Sequence, residues 1–270
     1  MTIYPYLNIG CGSRFLNNWT NVDFNSNNEE VLACNIVKGL PFKPDTFSVV
    51  YHSHVLEHLD PKQADFLLKE CFRTLKFGGV LRIVVPDLEG IAQNYLLALN
   101  EVRKESNDFS NANYHWAVME LLDQLTREKS GGNILEYWKS PHLINSSTIE
   151  KRVGFEFHRI RESLLYNNSL ERTTFNINFK SKIKDAFLKL FFGVGLEVIQ
   201  DSIFRNSGEV HKWMYDSYSL TKSLERAGFS AVQQVSAHNS NIKGWSEFDW
   251  LDLENGKIRK PDSIFFEAIK

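Results

Sequence analysis

The sequence predicts an α/β fold, a doubly wound and mainly parallel sheet that carries a mainly helical insertion. Three observations lead there. Over residues 1–90, short runs rich in Val, Ile and Leu alternate with helical patterning. The first of these runs, Tyr6–Ile9, feeds a Gly10-Cys11-Gly12 turn, and a carboxylate, Asp23, closes the next run. The strand–helix rhythm then stops across 91–210 and resumes near the C-terminus.

Taken in order, Tyr6–Ile9, Trp19–Asp23 and Val31–Ile36 read as the first three strands, followed by Ser48–His52 and Val80–Val85. The last two are almost wholly apolar, as strands covered on both faces of a parallel sheet should be. Between them lies the clearest helix. Asp60 caps it, Pro61 opens its first turn, Ala64, Leu67, Leu68, Cys71 and Leu75 form one apolar stripe, and Gly78-Gly79 is expected to end it. Helical patterns at Ile91–Val102, Ala112–Glu128 and Ile183–Leu190 are separated by polar loops such as Ser130-Gly131-Gly132-Asn133. Ser219 is expected to cap a short helix ending at Ala227-Gly228-Phe229, before strands at Ala231–Ala237 and Ser263–Ile269. The domain expectation is a core of 1–90 and 211–270, with 91–210 inserted as a substrate-binding lid.

Bulk properties exclude several classes. At 270 residues and a formal charge of −2, the chain shows no basic arm or acidic tail, so no nucleic-acid partner is expected. Cys11, Cys34 and Cys71 are too few and too scattered for a disulfide framework or a zinc site. The run Ala186–Ile199 is interrupted by Lys189, Gly193, Gly195 and Glu197, too polar to span a bilayer, and no secretory leader is read at the N-terminus. A cytoplasmic protein is the expectation; composition does not address oligomeric state.

A strand running into Gly-X-Gly, with an acid at the end of the next strand, is what nucleoside binding needs. Glycines let backbone N–H groups approach the ligand, and a carboxylate accepts from ribose hydroxyls. A dinucleotide site would carry a third glycine opening a helix and a later acid. Here Arg14-Phe15 follow Gly12-Ser13 and the acid comes early, which disfavours NAD and FAD.

Tyr6–Gly12 with Asp23, Leu40-Pro41-Phe42 leading into Phe47–Tyr51, Ser53-His54-Val55-Leu56-Glu57-His58 and Leu75–Val85 follow one another in an order that resembles class I S-adenosylmethionine-dependent methyltransferases, closest to the broad type-11 small-molecule group. His211–Tyr215 and Arg259–Ser263 are similar to that group's ending, while 91–210 is not covered. The resemblance implies a Rossmann-like seven-stranded sheet with its last strand antiparallel, and S-adenosylmethionine as cofactor across the carboxyl ends of the first, second and fourth strands. It implies Asn8, Gly10, Cys11 and Gly12 near the methionine and ribose, Asp23 on the ribose hydroxyls, Asn35 and Ile36 by the adenine, and His52 and Ser53 beside the methionine end. Asn8 and Asn35 stand where the family often has acids, and Ser48 where it often has Asp.

Methyl transfer needs a base when the nucleophile is a hydroxyl or a protonated amine, and His54 is the candidate; Glu57 and His58 are candidates that also read as a structural pair on a short turn. The expected reaction is in-line transfer to a small-molecule or glycan-related acceptor, oxygen before nitrogen. Two alternatives stand beside it. One is a non-catalytic binding protein, suggested by Asn8 and Asn35. The other is a zinc peptidase, since His54-Val55-Leu56-Glu57-His58 matches His-X-X-Glu-His, although a strand just before and Asp60-Pro61 just after leave no room for a long helix. His115, His142, His158 and His211 read as surface or core histidines. Between Glu150 and Leu190, Lys and Arg outnumber Asp and Glu among Phe155, Phe157, Phe175 and Phe179, a surface that suits an anionic substrate or is merely solvated. Tyr114, Trp116 and Trp138 read as core packing before ring stacking.

Overall fold

The computed structural model describes residues 2–26, 28–167, 204–205 and 208–270. The helix expected at Ile183–Leu190, Phe175 and Phe179, and the apolar run Ala186–Ile199 lie outside the described residues. One seven-stranded sheet has the order β3-β2-β1-β4-β5-β9-β6. Its first five strands are β1 (Tyr6–Ile9), β2 (Thr20–Asp23), β3 (Val31–Ala33), β4 (Phe47–Ser53) and β5 (Leu75–Pro86), mutually parallel. β6 (Ser230–Val235) and β9 (Ser263–Ile269) complete it, β9 running antiparallel to both neighbours. This is the Rossmann-like methyltransferase sheet, last strand antiparallel, that the resemblance implies. A short hairpin of β7 (Leu253–Glu254) and β8 (Lys257–Ile258) stands apart.

Helix α1 (Pro61–Thr74) forms for the reasons its sequence offers. The Asp60 carboxylate accepts from the N–H groups of Lys62 and Gln63, and the Gln63 side chain accepts from the Asp60 N–H, a reciprocal capping box. Its far end differs from expectation. Leu75 is already extended, and Gly78-Gly79 sit inside β5 at a register shift instead of capping the helix. A Cβ at Gly79 would meet the Lys76 carbonyl oxygen at 2.8 Å and the Ser48 carbonyl oxygen at 3.1 Å, so the glycine serves close strand packing. The third strand stops at Ala33 because Asn35 caps a 3₁₀ turn over Ile36–Lys38. The C-terminal helix α7 (Ser217–Ala227) is capped by Asp216 and not by Ser219; Ser219 is the reciprocal partner one turn in.

The described residues divide into two compact units: Met1–Asn94 with Lys151–Phe155 and Lys212–Lys270, and Tyr95–Glu150 with Glu156–His211. The first holds the sheet. On one face Leu7, Ile9, Val50, Leu81 and Ile83 pack with the stripe of α1 and with Leu220 and Leu224 of α7. On the other, Trp19, Val49, Tyr51 and Phe265 pack with Trp245, Phe248, Leu251 and Leu253, which come from short turns and the hairpin.

A buried ion cluster ties that second layer down. Arg82, fully buried in β5, donates from Nε to Asp252 at 2.8 Å and from Nη1 to Glu267 at 2.7 Å, and its guanidinium lies 4.2 Å from the Trp245 ring centroid. Tyr51 donates to Asp252 at 2.7 Å, and Asn241 donates twice to Glu267. Burial pushes the Asp252 carboxyl up even against the Arg82 guanidinium. Each charge has partners, as a buried charge must.

The second unit is helical where described: most of α2 (Leu88–Lys104), then α3 (Asp108–Thr126), α4 (Gly132–Trp138), most of α5 (Ser146–Val153) and most of α6 (Phe155–Asn167). The loop read at Ser130–Asn133 is in part the start of α4, where Asp123 accepts from the Asn133 N–H at 2.6 Å. Trp116 and Trp138 are buried and stacked at 6.0 Å, and Trp138 meets Phe157 edge-on, so these rings are core; Tyr114 lies 6.2 Å from Tyr95. His158 pairs with Glu150 at 2.8 Å.

Candidate functional site

In the order β3-β2-β1-β4-β5, the chain runs from β1 outward through β2 to β3 and then crosses back to β4 on the other side of β1. The carboxyl ends of β1 and β4 therefore flank the switch point, where open α/β sheets bind ligands. The Gly10–Gly12 turn lies there. Gly10 and Cys11 both donate to the Val22 carbonyl, at 2.8 and 3.2 Å, while the Asp23 carboxylate accepts from the Gly12 N–H and the Phe24 N–H, each at 2.7 Å. Both glycines have positive φ, +63° and +54°. A Cβ at Gly10 would stand 2.4 Å from Val55 Cγ2, whereas one at Gly12 would project into open space. One glycine is needed for packing; the other leaves bare backbone facing a cleft, as a ligand cradle does.

Asn8 is buried, and its amide donates to the Arg14 carbonyl at 2.9 Å. An acid at that position has no proton to give, so the departure at Asn8 pins the glycine turn. Arg14 continues outward to the Trp250 carbonyl and the Glu254 carboxylate, and lies over the Trp250 ring. The Cys11 thiol is pushed up to about 12 by burial and then by Asp23, so it is no nucleophile. Asn35 and Ile36 sit past β3; the Asn35 side chain accepts from the Val37 N–H at 3.3 Å.

At the end of β4 the structure brings His52, Ser53, His54 and Glu57 together within one turn of chain. His52 is paired in register with Ile9 and Ile83 and is fully buried. Neither ring nitrogen has a hydrogen-bond partner among the described residues, and burial lowers its pKa to about 3, so it is a neutral imidazole. Ser53, half-buried, ends the strand on the opposite face. His54 follows with φ of +55°, an unusual conformation for a residue with a Cβ, and its N–H donates to the Val84 carbonyl. Leu56–His58 is a single 3₁₀ turn. It is too short to place two His side chains one α-helical turn apart, which removes the geometry that the peptidase pattern requires.

His54 has a carboxyl on one side and a hydroxyl on the other. Its Nδ1 lies 3.0 Å from Glu57 Oε1 and its Nε2 lies 3.1 Å from Ser263 Oγ. Glu57 is fully buried; its backbone carbonyl accepts from the N–H groups of Lys212 and Trp213. Burial pushes its carboxyl up to about 8, with Lys260 opposing and Asp262 adding. Ser263 Oγ lies 3.2 Å from Asp262 Oδ1, and burial raises the Asp262 carboxyl as well. Ser263 and Val55 are missing from the sequence-derived site. The signal for Ser263 is topological: antiparallel β9 begins opposite Pro86, which sets its first residue at the sheet's carboxyl edge.

Away from this edge, a groove of about 360 Å³ is lined by Asp65 and Pro61 of the α1 region and by Trp213, Tyr218, Lys222 and Arg226. Its cations are engaged, Arg226 with Asp65 and Lys222 with Glu225. No helix among the described residues is long and apolar enough to cross a membrane.

Residues 7–83, which span β1 to β5 and the whole switch point, match the family described as a methyltransferase domain. No curated protein is significantly similar to the chain. Similar solved structures include a methyltransferase of Thermotoga maritima, described as a possible histamine N-methyltransferase, at 14% identity and TM-score 0.41 over 100% of this chain and 84% of that one. An S-adenosylmethionine-dependent methyltransferase of Archaeoglobus fulgidus gives 15% and 0.41 over 99% and 86%. Phosphoethanolamine N-methyltransferase 2 of Haemonchus contortus, in complex with S-adenosylmethionine, gives 13% and 0.36 over 100% and 49%.

Proposed function

We propose that this chain, a class I S-adenosylmethionine-dependent methyltransferase, methylates a hydroxyl of a small-molecule or glycan-related acceptor. The observation that carries the reading is the Gly10–Gly12 turn at the switch point, with open space over Gly12 and the Asp23 carboxylate beside it. The residues fit the cofactor. Backbone N–H and carbonyl groups of Gly10, Cys11 and Gly12 would line the methionine and ribose. Each Asp23 oxygen accepts one backbone N–H and keeps a further lone pair for the ribose hydroxyls. Asn35 and Ile36 would stand by the adenine. His52, buried and with neither ring nitrogen partnered among the described residues, and Ser53 would stand by the methionine end.

S-adenosylmethionine supplies a methyl group on a sulfonium, an electrophilic carbon with a good leaving group. The protein's own task is to orient the acceptor and receive its proton, with much of the rate coming from alignment. The side chains at the end of β4 suit a hydroxyl acceptor, because a hydroxyl, unlike a neutral amine, needs a base. Acceptor choice resides in the 91–210 insertion. Three free, buried thiols accord with a reducing, cytoplasmic setting.

Titration calorimetry with S-adenosylhomocysteine tests the reading, with micromolar binding expected. No heat and no shift in thermal midpoint would sink it. Asp23→Ala removes a charged acceptor and should weaken that binding by about 1.5–3 kcal/mol, on the order of tenfold to a hundredfold. Release of S-adenosylhomocysteine in the presence of phenols, hydroxy acids, sugars and amines identifies the acceptor; turnover of amines alone refutes the hydroxyl assignment.

A further inference from the structure

The side chains around His54 do more than supply a base. Both ring nitrogens face a group that can exchange a proton: Glu57 Oε1 at 3.0 Å from Nδ1, and Ser263 Oγ at 3.1 Å from Nε2. A neutral imidazole carries one N–H, so the two contacts cannot both be donated by the ring. Which nitrogen holds the proton depends on what stands opposite. We propose that Glu57, His54 and Ser263 form a proton relay in which the charge state of Glu57 selects the His54 tautomer, and that Ser263 Oγ is the group that meets the acceptor hydroxyl.

The two states follow from hydrogen-bond bookkeeping. When Glu57 is ionised it can only accept, so His54 carries its proton on Nδ1. Nε2 is then an acceptor, and Ser263 O–H donates to it. In this state the relay takes a proton: the acceptor's O–H bond breaks, its proton passes to Ser263 Oγ, and the proton of Ser263 passes to His54 Nε2. The electron pair left on the acceptor oxygen forms the new O–C bond as the carbon's former bonding pair leaves with sulfur. The imidazolium so formed faces the Glu57 carboxylate, which stabilises it. When Glu57 is protonated it donates to Nδ1 instead. His54 then carries N–H on Nε2, directed at Ser263 Oγ, which turns its own proton toward Asp262 Oδ1 at 3.2 Å. In that state His54 has no free ring lone pair with which to take a proton.

Three features of the site support a switch over a static pair. Glu57 is fully buried, and among the described residues neither of its carboxyl oxygens makes a hydrogen bond of good geometry that would hold it permanently ionised. The contact to His54 meets the distance of a hydrogen bond without its alignment, a common state for groups that tighten only with substrate in place. His54 is held at φ +55° by the bond from its N–H to the Val84 carbonyl, a strained backbone that aims the ring between β4 and the start of β9. The other titratable groups facing Glu57 include His58, Lys260, Asp262 and Tyr215; Lys260 and Arg152 face Asp262. Lys260 draws both carboxyls toward ionisation and Arg152 adds to this at Asp262, which keeps the Glu57 proton exchangeable. Glu57 is thus a positioning residue, acting through His54.

The relay rests on the methyltransferase reading, and its test separates the two. Nitrogen-15 spectra of the histidine rings in the full chain, with S-adenosylhomocysteine added, are recorded well below and well above the Glu57 midpoint of about 8. The His54 ring should carry its proton on Nε2 at the lower pH and on Nδ1 at the higher. Glu57→Gln should abolish the change while the thermal midpoint reports that the fold survives. A His54 tautomer that stays fixed across that range in the wild-type chain overturns the relay, with no variant required. So does a change that persists in Glu57→Gln. With the acceptor identified as above, Ser263→Ala should lower kcat by roughly a hundredfold with little change in KM; an unchanged kcat removes Ser263 from the path. Absence of S-adenosylhomocysteine binding overturns both proposals, whereas binding with a fixed tautomer overturns the relay alone.

Discussion

Gly10 and Gly12 lie two residues apart, both have positive φ, and only at Gly10 would an added Cβ meet a neighbour. Replacing each by alanine separates backbone strain from steric overlap. Gly12→Ala meets open space, so its cost is that of holding a Cβ residue in the left-handed region, about 1–2 kcal/mol. Gly10→Ala carries the same strain and also drives a Cβ to 2.4 Å from Val55 Cγ2, a full ångström inside ordinary contact. Val55 is itself buried and cannot swing into solvent. Overpacking of this kind costs about 1–3 kcal/mol, for a total of roughly 2–5 kcal/mol. The entropy that alanine removes from the unfolded chain, about 0.4–1 kcal/mol, is common to both variants and cancels in the difference. Urea unfolding followed by circular dichroism and fluorescence should therefore place Gly10→Ala about 1–3 kcal/mol below Gly12→Ala. Val55→Ala should cost stability in the wild-type background and recover it in the Gly10→Ala background, a coupling of similar size. Binding should show the reverse order: Gly12→Ala fills the cradle and weakens S-adenosylhomocysteine, although it is the milder variant in stability. Equal unfolding midpoints for the two alanines, or a double variant no better than Gly10→Ala alone, would refute the assignment of Gly10 to packing and Gly12 to the ligand.

The remaining predictions concern groups the fold buries. Arg82→Met leaves Asp252 and Glu267 buried without their cation and should cost about 3–5 kcal/mol by urea midpoint; adding Asp252→Asn and Glu267→Gln should restore much of it, and no recovery would mean that the cation–π contacts dominate. Asp216→Ala should lower stability by about 0.5–2 kcal/mol through loss of the α7 cap, more than Ser219→Ala does; the opposite order would return the cap to Ser219. Stability should form a plateau in pH. His52, pKa 6.5 unfolded and about 3 folded, makes stability rise with pH between those values, and Glu57, 4.5 unfolded and about 8 folded, makes it fall between its own. The two cancel from 4.5 to 6.5, leaving an acid limb below and an alkaline limb above, each of about 1.4 kcal/mol per pH unit at most. Glu57→Gln should flatten the alkaline limb and, with the cancellation gone, extend the acid limb from 4.5 up to 6.5; a profile unmoved by that change would show that Glu57 does not titrate out of register with the unfolded chain.

What was readable before the structure is what depends on neighbours in the chain. The Tyr6–Ile9 strand, the Asp60 cap and the early Asp23 rest on local chemistry, and they place the methyl donor's side of the site. Errors arose where a local signal competed with a distant partner. Gly78-Gly79 looks like a helix stop, yet Ser48 packs against Gly79 and makes the pair part of a strand. Arg82 stands inside an otherwise apolar run, and that was the overlooked signal. A charge within a buried strand must have partners, and here they come from Asp252 and Glu267, far along the chain. The same logic separates the two sides of the switch point. Gly10, Gly12 and Asp23 lie on consecutive segments, so a spacing rule finds them. His54 meets Ser263 only because β9 inserts antiparallel beside β5 and starts at its carboxyl end. An alternating pattern reveals that a strand exists, not which edge its first residue reaches. The donor side of the reaction is thus written in local sequence and the proton-handling side in topology, which is why a Ser263 variant tests the fold's contribution to chemistry in a way that Gly12 and Asp23 variants cannot.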